Sequence, residues 1–231
     1  MSGQSPPIDR PVLAAERPGL AGVTGPAMGQ TDADNAGIKG CAPGGAGLLV
    51  VDMINALDFD GAEALRAPAL KAAGVVARLR DQADALGVPV IYVNDNYGEW
   101  RAERSHIVAH CRAQGGADLV ERLAPRDHDY FVIKPAVSGF YATTLQVLLP
   151  RLGVSRLVMT GLAADICVLF TAADAHMRAY DLWVPADAVA SSSPQHRDWA
   201  LEIMRKAMGA DTRPAGDRDL RSWIDKAKEA P

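Results

Sequence analysis

The run RLVMTGLAADICVLFTAADAHMRAY, residues 156–180, carries a strand, a turn and a helix in succession. Residues 156–160 form a short apolar run of the kind that is buried on both faces in a parallel sheet. Gly161 opens a loop over residues 162–166, and from Cys167 to Tyr180 the apolar residues recur at helical spacing. Parallel strands need long crossover connections, most often helices. A strand leading directly into a helix is therefore the building unit of an α/β domain.

The same unit recurs along the chain. Apolar runs at 48–51, 88–93, 130–133 and 182–184 predict further buried strands. Leu65, Leu70, Val76, Leu79, Ala83 and Leu86 fall on one helix face, which Gly87 stops with Pro89 just beyond. Leu145, Leu148, Leu149 and Leu152 form another stripe ended by Gly153, and residues 199–208 a further one. Residues 191–193, all serine, precede Pro194 and predict a loop and a helix cap. Residues 94–126 are the least regular, rich in Arg, Gly and charge, with a short helix expected over 104–111. Such an insertion is either a lid or interface or a plain surface excursion.

Composition narrows the function classes. The 231 residues have 48% hydrophobic and 23% charged content and a net charge of −4, as in an ordinary soluble globular protein. No uncharged apolar run reaches the ~18 residues of a membrane-spanning helix, so no membrane partner is expected. Mild acidity without a basic block argues against nucleic acid as the main partner. Three cysteines cannot form a disulfide scaffold. Six prolines and ten glycines fall within residues 1–47, above the roughly 25–30% of low-complexity segments. Residues 1–46 are therefore expected to be a flexible N-terminal extension, and 47–231 one domain large enough to bury a sizeable core. The extension lacks the unbroken apolar segment of a signal peptide, so the expected location is the cytoplasm, and Met28 offers an alternative start.

Ligands of open α/β sheets bind at the carboxyl ends of the strands. Four polar groups follow the apolar runs: Asp52 after LLVV, Asp95 after VIYVN, Lys134 after YFVI, and Cys167 after RLVMTG and its loop. Distant in sequence, they fall on one edge of the sheet. Each alone reads as readily as a cap or loop anchor. Cys167 also lies near the start of a helical pattern, where unpaired N–H groups and a lysine neighbour lower a thiol pKa into the range of roughly 3.5–7.5. From position alone it reads equally as a small buried hydrophobe.

These residues carry a resemblance. LLVVDM, VIKPAVSGFYATTL and TGLAADICVLFTAADAHMRAYDLWVPADAVAS resemble the isochorismatase-like cysteine hydrolases, a superfamily that includes nicotinamidases, N-carbamoylsarcosine amidohydrolase, ureidoacrylate amidohydrolases and isochorismatases. The likeness spans about residues 47–209, and Gly161, Asp165, Cys167, Val168, Thr171, Ala172 and Ala175 fit its most specific segment. It implies a three-layer α/β fold with a six-stranded, mostly parallel sheet flanked by helices. It implies a catalytic triad of Asp52, Lys134 and Cys167. It also implies a non-proline cis peptide joining Leu162 to Ala163, with the N–H groups of Ala163 and Cys167 as oxyanion hole. The implied activity is hydrolysis of a C–N bond in a small amide, carbamoyl or ureido compound, through a thioester on Cys167. Substrate and water are the expected partners, and relatives imply a homodimer or homotetramer. Trp223 and Ile224, in the segment after Met208, are expected to dock on a neighbouring subunit.

The chain departs from the nicotinamidase pattern. That group has an Asp-x-His metal motif after the second strand, where this sequence reads Asn94, Asp95, Asn96, Tyr97. No metal and no cofactor are therefore assigned, and Asp95 is expected to order the loop or touch substrate. His106 and His110 stand at i, i+4 with Cys111 adjacent, either an incidental pair on a polar helix or metal ligands. The glycines at 44, 45 and 47 precede a strand instead of following one, so they form no dinucleotide loop. No G-x-S-x-G elbow and no C-x-x-C occur. Pocket walls are expected from Phe59, Tyr97, Trp100, Phe140, Tyr141 and Ile166, for each of which core packing is the alternative. Cys41 and Cys111 receive no role. Two other activities stand beside the amidohydrolase expectation: ether hydrolysis of the isochorismatase type, and small-molecule binding without catalysis.

Overall fold

The computed structural model describes residues 45–225. The expected extension lies outside the described residues apart from Gly45 and Ala46, which already belong to the first strand, and Cys41 lies outside them too. In chain order the elements are β1 (Gly45–Val51), α1 (Ala62–Leu86), β2 (Val90–Asp95), α2 (Arg104–Ala113), α3 (Ala117–Leu123), β3 (Tyr130–Lys134), α4 (Leu145–Arg151), β4 (Val154–Leu162), α5 (Leu169–Met177), β5 (Asp181–Trp183), β6 (Val189–Ala190), α6 (Pro194–Met208) and α7 (Leu220–Asp225). A π turn, Ala164–Val168, joins β4 to α5. The strands form a six-stranded sheet in the order β3-β2-β1-β4-β5, with β6 paired to the end of β4. Every described pairing is parallel. The α/β fold expected from the sequence is the one observed.

Both faces of the sheet are covered, which is why its strands are apolar throughout. Along β1, Leu48 and Val50 point into one core and Leu49 and Val51 into the other, the period-two alternation of a strand. The first core holds the face of α1 formed by Leu65, Ala69, Ala72, Val76, Leu79 and Ala83, with Leu119 and Leu123 of α3. The second holds Leu145 and Leu149 of α4, Ala172 and Ala175 of α5, and Leu201 and Met204 of α6. Burying each leucine contributes about 1.5–3 kcal/mol. Gly87, at φ 66°, caps α1 and donates its N–H back to the last turn. Ser193 caps α6, its hydroxyl accepting the His196 N–H, and Pro194 takes the first helical position.

Three local readings are corrected. The irregular stretch 94–126 contains two helices; α3 is too short to show a periodic stripe, and Gly116 ahead of it packs so closely on the Asn55 carbonyl that a Cβ would lie 1.8 Å from that oxygen. β6 has only two residues and no apolar run to mark it. Trp223 does not wait for a neighbouring subunit. Its ring lies 6.0 Å from that of Trp183, and the Arg156 guanidinium sits 4.0 Å above it while donating to the Trp223 carbonyl. The chain's own core takes this indole because a Trp–Trp contact and a cation–π contact are available there.

Candidate active site

The strand order brings the polar groups together. Lys134 ends β3, Asp95 ends β2, Asp52 follows β1, and Cys167 follows β4 in the π turn, so four consecutive strands each bring one group to the same edge. The order reverses between β1 and β4, the switch point at which open α/β sheets hold ligands. Here β1 and β4 approach closely. Gly161, at φ 123°, faces Val51, and a Cβ on it would lie 1.9 Å from the Val51 carbonyl oxygen. Only glycine fits that crossing.

Lys134 is completely buried and is the hub of the site. Its Nζ lies 2.9 Å from Asp52 Oδ2, 3.4 Å from Asp95 Oδ2 and 3.5 Å from Cys167 Sγ. Asp52, buried at the end of β1 in the left-handed region (φ 49°), accepts the Asp95 backbone N–H at 2.8 Å on its other oxygen. The Cys167 side chain is among the groups that act on its proton affinity. Burial raises the Asp52 carboxyl above the usual carboxylate range, although Lys134, Cys167 and the Asp95 N–H pull the other way. Burial works against the Lys134 ammonium too, but Asp52 and Cys167 outweigh it and hold its pKa above the ordinary value. The lysine stays charged.

The thiol corrects an expectation. Burial first, and the Asp52 carboxylate second, push Cys167 up to about 12, with Lys134 opposing. Cys167 sits in the π turn Ala164–Val168, ahead of α5, which begins at Leu169. In the resting site the sulfur holds its proton and has an unusually basic carboxylate beside it. The expected cis peptide is also absent: every described peptide bond, including Leu162–Ala163, is trans. A non-proline cis bond costs about 3–4 kcal/mol relative to the trans bond.

Residues to which the sequence assigned no role in the site hold this arrangement. Asn94, fully buried, clamps the loop after β1, its amide donating to the Ile54 carbonyl at 2.8 Å and accepting the Ile54 N–H at 3.3 Å. A polar side chain inside an otherwise apolar strand was the signal that could have found it. Thr171, also buried, donates its hydroxyl to the Cys167 carbonyl at 2.6 Å and accepts the Gly139 N–H at 2.9 Å. It thereby ties the loop beyond Lys134 to the π turn. Asp165 is held by Ser191 and His196, which fastens the same turn to the loop after β6 and to the first turn of α6.

The expected pocket walls divide. Phe59, Tyr141, Ile166 and Trp100 expose large parts of their side chains, Trp100 as much as 81%. Ile166 stands next to Cys167 in the chain. Tyr97 spends its hydroxyl on the Ile54 carbonyl at 2.8 Å and packs its ring on His110. Phe140 is a correction: it is 2% exposed, belongs to the second core, and packs on Tyr180 beneath the Arg178 guanidinium. Its neighbour Tyr141 takes the outward position. Asp95 keeps a side chain 40% exposed beside the buried lysine. His106 and His110 pair with Glu103 and Asp58, and they belong to no cluster of three metal-ligating groups among the described residues. No described helix is long and apolar enough to cross a membrane.

Comparison with known proteins agrees with this fold. The family model for the isochorismatase domain matches residues 46–215. An uncharacterised isochorismatase family protein of Bacillus subtilis, YaaI, is 42% identical over 164 residues, 71% of this chain and 91% of that protein. The ureidoacrylate amidohydrolase RutB of Serratia proteamaculans is 30% identical over 184 residues, 67% of this chain and 73% of that protein. The N-carbamoylsarcosine amidase structure from Thermoplasma acidophilum superposes with a TM-score of 0.60 at 31% identity, covering 76% of this chain and 99% of that one. With the sheet, the switch point and the matched span in accord, the chain belongs to the isochorismatase family of hydrolases.

Proposed function

We propose that this hydrolase cleaves a C–N bond of a small amide, carbamoyl or ureido compound, with Cys167 as nucleophile. The observation that carries the reading is the buried lysine bridging Asp52 at 2.9 Å and Cys167 at 3.5 Å. An amide is a poor electrophile, so the attacking sulfur must be a thiolate. Asp52, its proton affinity raised by burial, takes the Cys167 proton as sulfur attacks the carbonyl carbon. Lys134 stabilises the developing negative charge. The tetrahedral oxyanion is assigned to the backbone N–H of Cys167; such a donor is worth about 2.7–4 kcal/mol of barrier. Collapse breaks the C–N bond, and Asp52 passes its proton to the leaving nitrogen. Asp52 then draws a proton from water as it attacks the thioester; the C–S bond breaks, Asp52 returns the proton to the sulfur, and the acid and the free thiol are released.

The half-exposed Asp95 carboxylate is the group we assign to the substrate's N–H, with Phe59, Tyr141 and Ile166 as apolar walls. The relatives named as a ureidoacrylate amidohydrolase and an N-carbamoylsarcosine amidase support a carbamoyl or ureido substrate. The test is a panel of amides, carbamoyl and ureido compounds and enol ethers, run on the native protein and on Cys167→Ala. We expect C–N cleavage by the native chain, an acyl adduct on Cys167 by mass spectrometry, and no turnover by the variant. Turnover that survives in Cys167→Ala would sink the thioester route, and cleavage of the ethers alone would sink the C–N assignment.

A further inference from the structure

The opposite end of β3 from Lys134 holds a second group of chemically active side chains. Asp129, immediately before β3, is 7% exposed, and its side chain is fully buried. Its Oδ2 accepts the Arg126 backbone N–H at 2.7 Å. Its Oδ1 is buried without any hydrogen-bond partner, which is costly for a carboxylate oxygen. That oxygen faces His128 Nε2 at 3.8 Å, too far for a hydrogen bond. The same nitrogen lies 3.1 Å from Asp84 Oδ1, on the last turn of α1. The other Asp84 oxygen is taken by the Arg126 guanidinium.

We propose that Asp84, His128 and Asp129 bind a divalent transition-metal ion of the zinc class. Their three donor atoms lie within 4.8 Å of one another. Tetrahedral donors at zinc distances of about 2.0–2.1 Å stand roughly 3.3–3.4 Å apart, and the observed 3.1 and 3.8 Å bracket that value. One imidazole with two carboxylates is a borderline set that suits zinc, whereas magnesium and calcium favour oxygen alone. Arg126 supplies the supporting shell for both acids, through its guanidinium on Asp84 and its backbone N–H on Asp129, and so leaves one oxygen of each aimed at the histidine. Arg126 also pairs with Asp81, which balances its charge. The His128 side chain is 65% exposed, giving the ion a path in and room for a water as further ligand. Without the ion, His128 and Asp84 form an ordinary surface pair and the buried Asp129 oxygen stays unsatisfied. With it, all three are used. The site is structural. It clips α1 to the start of the edge strand whose far end carries Lys134, and all of β3 separates it from the reacting atoms.

The experiment is a titration of the chelator-stripped full chain with zinc chloride alone, followed by calorimetry and by melting temperature. We expect one ion per chain at micromolar affinity or tighter, and a melting temperature several degrees higher at saturation. His128→Ala changes an exposed side chain, so it keeps the fold; it should weaken binding at least tenfold and remove the thermal gain. Asp84→Asn should do the same. A His106→Ala/His110→Ala double variant should bind as the native chain does. Absence of saturable binding, or binding that His128→Ala leaves unchanged, overturns the proposal.

Discussion

Replacing Lys134 by Met removes one partner of a buried ion pair and leaves the other in place. Lys134 is fully buried, Asp52 nearly so, and their charged atoms are 2.9 Å apart. Breaking such a pair from one side costs about 3–5 kcal/mol, because the remaining charge is stranded. For a domain of this size that lowers the melting temperature by about 6–20 °C, at roughly 2–4 °C per kcal/mol. The cost depends on pH. Asp52 is already raised by burial, and Lys134 is foremost among the influences that lower it, so its loss raises the carboxyl further. An unfolded Asp ionises near about 3.9. Above that pH the folded state of either protein keeps a proton that the unfolded state has released, and stability falls by about 1.4 kcal/mol per pH unit. The native chain stops losing stability once its own Asp52 ionises; the variant continues to a higher pH. Urea unfolding followed by tryptophan fluorescence at pH 4 and pH 7 measures the variant's deficit. The deficit should be smaller at pH 4 than at pH 7, and Asp52→Asn/Lys134→Met should recover to within about 1–2 kcal/mol of the native chain. A deficit below about 1 kcal/mol, equal values at both pH, or no recovery in the double variant refutes the reasoning.

Three other outcomes follow from the same geometry. Asp52→Asn should lower turnover by about 10²–10⁴, yet speed iodoacetamide labelling of Cys167 at pH 8. The Asp52 carboxylate helps hold that thiol at about 12, where about one in 10⁴ is ionised at pH 8; slower labelling of the Cys167 peptide by mass spectrometry would contradict this. Thr171→Val keeps the shape but strands the Cys167 carbonyl and the Gly139 N–H, so a loss of about 1–3 kcal/mol per stranded group is expected in denaturant titrations. Thr171→Ser should retain native stability more closely, and equal losses in both would remove the hydrogen-bond argument. Gly161→Ala would drive a methyl group into the Val51 carbonyl at a φ of 123°; we expect a melting temperature lower by more than about 10 °C, and a native-like melt would refute the close crossing.

The sequence alone determined the alternation of strands and helices, because period and breakers are local. It also determined that Asp52, Asp95, Lys134 and Cys167 follow apolar runs and so share one edge of the sheet. It marked Cys167 as a candidate nucleophile, but it misjudged the thiol's proton affinity. Desolvation depends on what packs around a side chain, and the proximity of Asp52 to Cys167 depends on β1 lying beside β4. Phe140 and Trp223 were misplaced for the same reason, since neither ring's burial is written in its neighbours along the chain. Asp84 and His128 are 44 residues apart and share no motif. Only the packing of α1 against the start of β3 puts their side chains within reach of each other and of the unsatisfied oxygen of Asp129. Local spacing fixes which residues end a strand; non-local pairing order and burial decide which of them meet and what charge they hold there.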